Sequence, residues 1–356
     1  MTRAPRWMRA FPLVGVGAGM SAALVLGGRL PSAPVDPPPA ALIGAPAVRV
    51  AEPLDRSAVT AVAFTGGGGL VVGTSTGRVE FRAAGVAATP QAVLQVAHSP
   101  VMALAASGDG ATVAAATAGG VQLLDTARPA LGRFVEFPAD GVYGVTTALA
   151  LDRHARLLAV GTDDVSVFEV SSGRRVALLS QPSPAKGGER HVYTSMAFSA
   201  DGGALHTGDI FGDDAWRTGD WRLRSTMWCV CFHPARYSPA ARWASVGTSD
   251  AHVLVRNPAT GTTTRDLTID VAPRSYTGDT AISDGGLLFA GSSDGRVLAW
   301  RPDRDLPAGQ VKVTTGEIGL LRLSPDARWL VAGRAGDVVP GTGLDPYTLW
   351  LLPVRP

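Results

Sequence analysis

From about Val59 onward the chain alternates short apolar runs with turns rich in glycine, aspartate and serine. Ala61-Val62-Ala63-Phe64, Ala103-Leu104-Ala105, Ala148-Leu149-Ala150-Leu151 and Met196-Ala197-Phe198 put small and large side chains on opposite faces with period two, the period of a β-strand. The unit that recurs is such a run, a Gly/Asp turn, a second run ending in Gly-Thr or Gly-Ser, another turn, and a third run. The first copy reads Val59 to Phe64, Gly66 to Gly69, Leu70 to Thr74, Ser75 to Gly77 and Arg78 to Arg82. A later one reads Ala281-Ile282, Ser283 to Gly286, Leu287 to Ser292, Ser293-Asp294-Gly295 and Arg296 to Trp300. Seven copies are found, their first runs ending at Phe64, Ala106, Leu151, Phe198, Phe232, Ile282 and Leu323, at intervals of 42, 45, 47, 34, 50 and 41 residues. Each copy therefore holds enough chain for four short strands.

A lone four-stranded sheet of this composition exposes two apolar faces, so the copies predict seven antiparallel sheets stacked into a closed ring. Small residues on one face of the first strand suit an innermost position, where strands converge. The seventh copy runs out at Tyr347-Thr348-Leu349-Trp350-Leu351-Leu352, one strand short, with only Pro353 to Pro356 beyond it. Ala47-Val48-Arg49-Val50, ahead of the first copy, is expected to supply that strand and lock the ring.

Particular motifs sharpen this picture. Phe198-Ser199-Ala200-Asp201-Gly202 and Leu323-Ser324-Pro325-Asp326 look like the turn between the first and second strands of a WD40 repeat, and Gly247-Thr248-Ser249-Asp250 and Gly291-Ser292-Ser293-Asp294-Gly295 look like its next turn. Leu124-Asp125, Phe168-Glu169, Arg256-Asn257 and Trp300-Arg301 stand where that repeat ends its third strand in Trp-Asp. After about Ala47 the chain thus resembles the WD40 family of β-propellers. The resemblance implies an all-β fold, a seven-bladed β-propeller of four-stranded antiparallel blades, and a non-catalytic role as a protein–protein interaction scaffold. No copy carries the Trp-Asp pair intact, and the Gly-His that precedes the family's first strand is missing, with His98 and His191 only roughly placed. The family's Asp-His-Ser-Trp hydrogen-bond network is therefore expected to be partial.

Composition and charge then limit the function. The 356 residues are 46% hydrophobic and 17% charged, too apolar for a disordered chain. Of 32 basic residues, Arg3, Arg6, Arg9 and Arg29 lie in the first 30 positions, which hold no acid; the remainder carries 28 basic against 30 acidic residues. That balance offers no phosphate-neutralising surface, so nucleic acid is not an expected partner. Arg3, Arg6, Trp7 and Arg9 precede an uncharged stretch from Ala10 to Gly28. Its length suits an apolar transmembrane helix better than the shorter centre of a signal peptide. Residues 1–30 are read as signal anchor or signal peptide, 31–46 as a Pro/Ala-rich linker, and 47–356 as the propeller. Arginines ahead of the apolar stretch place the propeller outside the cytoplasm, at the cell membrane if the helix is retained and secreted or periplasmic if it is cleaved.

Candidate chemistry is sparse. Gly73-Thr74-Ser75-Thr76-Gly77 and Gly291-Ser292-Ser293-Asp294-Gly295 match a Gly-x-Ser-x-Gly nucleophile pattern, but they fall between two strands rather than at a strand-to-helix elbow and are read as turns. Cys229 and Cys231 share one strand face and are read as small buried residues. Asp209, Asp213 and Asp214, with Gly208 and Gly212, would hold Ca²⁺ only if carbonyl oxygens joined them, and are read as a solvated turn. No catalytic residue, metal or cofactor is assigned. The most unusual stretch is Trp216-Arg217-Thr218-Gly219-Asp220-Trp221-Arg222-Leu223-Arg224, because Trp and Arg are the side chains most enriched at binding hot spots. Trp216, Arg217, Trp221 and Arg222 are the candidate surface for a protein or peptide partner, against the plainer reading that the tryptophans fill space between blades. The alternative function is an extracytoplasmic propeller enzyme or small-molecule binder, with polar groups from several blades gathered at one mouth of the central channel.

Overall fold

A computed structural model describes residues 42–43, 46–86, 88–137, 148–180, 193–209, 212–228, 235–269, 276–335 and 347–355. The N-terminal helix expected within residues 1–30 lies outside them, and among the described residues no helix is long and apolar enough to cross a membrane. The described residues form twenty-eight strands in seven four-stranded antiparallel sheets. In sheets one to six the four strands run in chain order outward from the first. The first strands are Val59–Phe64, Ala103–Ala106, Ala148–Leu151, Ser195–Phe198, Arg236–Tyr237, Thr277–Ile282 and Leu320–Leu323. Each lies against the first strands on either side, and the seventh meets the first, so the ring closes. This is a seven-bladed β-propeller.

The chain before blade 1 completes blade 7. Val48 pairs with Leu351 and Arg49 with Trp350, and the Val50 amide donates to Leu349 O at 2.9 Å. Closure reaches further back than Ala47. Ile43 bridges to Val354, the Arg355 amide donates to Leu42 O at 2.8 Å, and both Leu42 and Ile43 are buried between blades 6 and 7.

One turn design, repeated seven times, explains how each blade starts. At Thr65, Ser107, Asp152, Ser199, Ser238, Ser283 and Ser324 the carbonyl accepts the amide three residues on, at 2.8 to 3.1 Å. That third residue takes positive φ in every blade: Gly68, Gly110, Gly202 and Gly286, but Ala155 (φ 51), Ala241 (φ 50) and Ala327 (φ 55) in the other three. The side-chain oxygen of the leading residue also accepts a backbone amide four or five residues on in all seven. Short hydroxyl and carboxylate side chains are favoured in turns for this bond.

The fifth copy departs from the sequence reading. Its first strand is Arg236–Tyr237 and not the apolar run ending at Phe232, which lies outside the described residues. With Tyr237 in place of Phe232 the uneven intervals of 34 and 50 become 39 and 45, close to the rest. Ser238-Pro239-Ala240-Ala241-Arg242-Trp243 repeats Ser324-Pro325-Asp326-Ala327-Arg328-Trp329 almost residue for residue, and is the signal that sets the register.

Blades are held together by the side chains between them, and six of the seven seams are apolar. Ala61, Val71 and Phe81 meet Val101, Val113 and Leu124 between blades 1 and 2, and clusters of similar make-up fill the seams 2/3, 3/4, 5/6, 6/7 and 7/1. The seam between blades 4 and 5 differs. Among the described residues its buried apolar cluster is only Ala235, Ala244 and Val246.

Candidate functional site

The side chains that take the place of apolar packing in the 4/5 seam follow from strand register. In blade 4 the rows across the sheet are Ala197, His206, Ala215, Ser225 and then Ser195, Gly208, Asp213, Met227. Residues two apart share a face, so both rows look the same way. In blade 5 one row is Tyr237, Ala244, Arg256. The two sheets bring His206, Asp213 and Arg256, all buried, together with the partly buried Tyr237.

The Tyr237 hydroxyl donates to Asp213 Oδ1 at 3.0 Å, and Arg256 Nη1 stands 3.5 Å from Asp213 Oδ2. The His206 and Tyr237 rings face each other with centroids 5.7 Å apart and planes tilted by 35°. Gly208 makes room for this set: a β-carbon there would lie 2.7 Å from Asp213 Oδ1, 2.9 Å from Ser195 Oγ and 3.4 Å from the Tyr237 hydroxyl. The other two acids of the stretch are also buried, Asp209 accepting the Gly212 amide at 2.9 Å and Asp214 accepting the Thr226 hydroxyl at 2.7 Å. The three aspartates are thus not a solvated turn. Asp213 and Asp214 lie on the strand Gly212–Arg217, and among the described residues no group of three or more His, Cys, Asp or Glu is placed to hold a metal ion.

Burial sets the ionisation of these groups. It pushes the Asp213 carboxyl up to about 6, helped by the negative charges of Asp209 and Asp214 and opposed by the Tyr237 hydrogen bond and Arg256. It holds His206 down at about 4, with Arg224 acting in the same direction, so the imidazole is neutral at pH 7. Burial and the adjacent Asp213 raise Tyr237 well above the usual phenol range. A cavity of about 190 Å³ opens against this set, lined by His206, Asp213 and Tyr237 and by Met227, Pro258 and Gly261, with the exposed Ser225 and Thr260 at its rim.

A second group of charges crosses the channel wall. Asp279, buried on the first strand of blade 6, accepts from Arg236 Nε of blade 5 at 2.6 Å and Arg322 Nη1 of blade 7 at 2.8 Å. The Leu321 amide also donates to it at 3.0 Å. One carboxylate therefore ties three neighbouring blades.

The Trp/Arg stretch divides between core and rim. Trp216 is buried in the 3/4 seam and its Nε1 donates to Thr207 Oγ1 at 3.1 Å, while Trp221, at φ 56, packs against the same cluster. Arg217 and Arg222 are exposed and both reach Asp220, at 3.0 and 3.8 Å. The histidines do not gather: His98 is exposed, His154 pairs with Asp109 at 3.0 Å, His252 with Asp266 at 2.6 Å, and His191 and His233 lie outside the described residues, as do Cys229 and Cys231. Both Gly-x-Ser-x-Gly matches sit at turns between second and third strands, with Gly77 and Gly295 at positive φ. The polar seam was missed in the sequence because Tyr237 and Arg256 align with Asp213 only once blade 5 is in its true register.

Among the described residues, fold and site together define a seven-bladed β-propeller with one seam lined by polar side chains. No protein-family model matches the chain, and no curated protein matches it either.

Proposed function

We propose that this protein is a non-catalytic, WD40-like propeller that serves as a protein–protein interaction scaffold on the outer side of the cytoplasmic membrane. The observation that carries the reading is the make-up of the outer strands. In blades 1 to 4 these expose large apolar residues: Val93, Leu131 and Phe134, Leu178, and Leu223. The outer strands Thr262–Thr268 and Gly309–Lys312 of blades 5 and 6 expose none among the described residues. In blade 2 an irregularity makes the pair. Leu131 stands opposite Leu124 and Phe134 opposite Gln122, so an extra residue in the outer strand turns both side chains to one face, 54% and 45% exposed. Apolar residues grouped on an exposed edge strand suit docking of an extended segment of another protein.

The WD40 likeness is supported by the Trp216–Thr207 hydrogen bond, a third-strand tryptophan held by a second-strand hydroxyl, which is half of that family's internal network. The outer-side location rests on the arginines ahead of the Ala10 to Gly28 stretch. Arg217 and Arg222 remain the candidate polar contacts, exposed on the hairpin of blade 4. A photo-crosslinking residue at position 131, compared in intact cells with one at Thr263 on the outer strand of blade 5, tests the reading. The same crosslinked partner should appear at 131 and disappear when F134D is added to that protein. Equal crosslinking at 131 and 263, or none at 131, contradicts it.

A further inference from the structure

We propose that the cavity between blades 4 and 5 binds a small organic cation bearing a primary ammonium group. This goes beyond the scaffold reading and does not depend on it.

Three independent features meet in the cavity. The first is its size: an apolar cavity of about 150 Å³ accepts benzene, so the 190 Å³ here has room for a ligand of about six non-hydrogen atoms. The second is charge. Among the described residues the cation beside Asp213 is Arg256, and the 3.5 Å separation of Arg256 Nη1 from Asp213 Oδ2 is too long for a strong pair. Asp213 therefore keeps acceptor capacity toward the cavity, and at pH 7.5, above the value of about 6 to which burial raises it, its carboxylate is ionised.

The third feature is a set of buried polar atoms that the fold does not satisfy. His206 is 4% exposed and lines the cavity, and among the described residues its ring nitrogens make no hydrogen bond, which leaves them facing the cavity space. Outside the cavity lining but next to Asp213, Ser195 Oγ and Arg256 Nε are also buried without a partner. Buried polar atoms are satisfied in nearly all folded proteins, and leaving one unpaired is costly. The six apolar seams show that this ring closes well without such groups. An ammonium group seated between Asp213 and the neutral His206 donates one hydrogen bond to the carboxylate and one to the unprotonated ring nitrogen. The Tyr237 face beside them favours a cation electrostatically, and a hydroxyl two carbons away on the same ligand suits the hydroxyls of Ser225 and Thr226 in the lining.

The test uses the full chain at pH 7.5, with ethanolamine as probe and ethylene glycol as its uncharged counterpart, read by titration calorimetry and ligand-detected NMR. Ethanolamine should bind saturably, and ethylene glycol at least about tenfold more weakly, as expected when a charge-assisted hydrogen bond is lost. D213N should weaken ethanolamine by a similar factor. T260W changes an exposed residue at the rim, carries no charge, and should block entry while the unfolding midpoint stays near that of the wild type. The proposal is overturned if ethylene glycol binds as well as ethanolamine, if ethanolamine binds T260W undiminished, or if folded wild-type protein gives no saturable signal, which would leave the cavity to water.

Discussion

Replacing Asp279 by Asn tests how far one carboxylate holds three blades together. Asp279 is 3% exposed and accepts hydrogen bonds from Arg236, Arg322 and the Leu321 amide. Burial alone would push its carboxyl up, but the guanidiniums of Arg236 and Arg322 outweigh that and hold it below the usual carboxylate range. Removing one member of a buried ion pair costs about 3–5 kcal/mol, because the remaining charge stays desolvated. The arginine side chains here are 22% and 34% exposed, so water takes up part of the loss and about 3 kcal/mol is the expected value.

Urea unfolding of the wild type, D279N and the apolar triple variant R236M/D279L/R322M measures it. D279N should fall by about 3 kcal/mol at pH 7, and the triple variant should recover most of that, since well-packed apolar replacements of buried ion networks are often neutral. The pH dependence has a fixed sign. A carboxyl lowered in the folded state stabilises above its unfolded value, and the gain disappears as pH falls through the folded value. The gap between wild type and D279N should therefore be constant from neutral pH down to about 5 and shrink below about 4. A loss under about 1 kcal/mol at pH 7, or a gap that persists undiminished in acid, refutes the reasoning.

Further expectations concern the turns and the polar seam. Ala327→Gly should raise stability by about 0.5–1 kcal/mol, since φ 55 disfavours any β-carbon and four of the seven equivalent positions already hold glycine; thermal unfolding reads the change. Gly77→Ala should instead destabilise by several degrees, because a β-carbon at φ 79 would collide with the Ala97 and Ser99 carbonyls. Asp213, raised to about 6, carries the opposite sign to Asp279: its contribution is fully present below its unfolded value and is lost as pH rises through 6. Wild-type stability relative to D213N should therefore climb as pH falls from about 7 to about 4, by up to about 3 kcal/mol at 1.36 kcal/mol per unit. His206, held at about 4, works against acid in both proteins and cancels in the comparison.

The propeller was legible because its local signals agree. Period-two runs such as Ala148-Leu149-Ala150-Leu151, turn residues at fixed offsets and a seventh copy lacking a strand all point to one ring, and Val48 and Arg49 do close it. Blade 5 was misread because Met227 to Phe232 alternates like a first strand, whereas Arg236–Tyr237 is polar for a reason no local pattern holds: Arg236 answers Asp279, forty-three residues away. The aspartates looked like a solvated turn because Gly and Asp usually make one. Their burial depends on blade 5 lying across them, and Trp216 is likewise placed by the seam it fills.

The central claim is a ring closed by pairing the chain before blade 1 with the last strand of blade 7, and a designed disulfide tests it most directly. With Cys229 and Cys231 replaced by alanine, V48C/L351C puts thiols at directly opposed positions of an antiparallel pair, within reach of a disulfide. Mild oxidation should link positions 48 and 351 within one chain in near-quantitative yield and raise the unfolding midpoint, while V48C/P353C, out of register, should stay reduced. Free thiols in the first variant, or equal linkage in both, would contradict the closed ring.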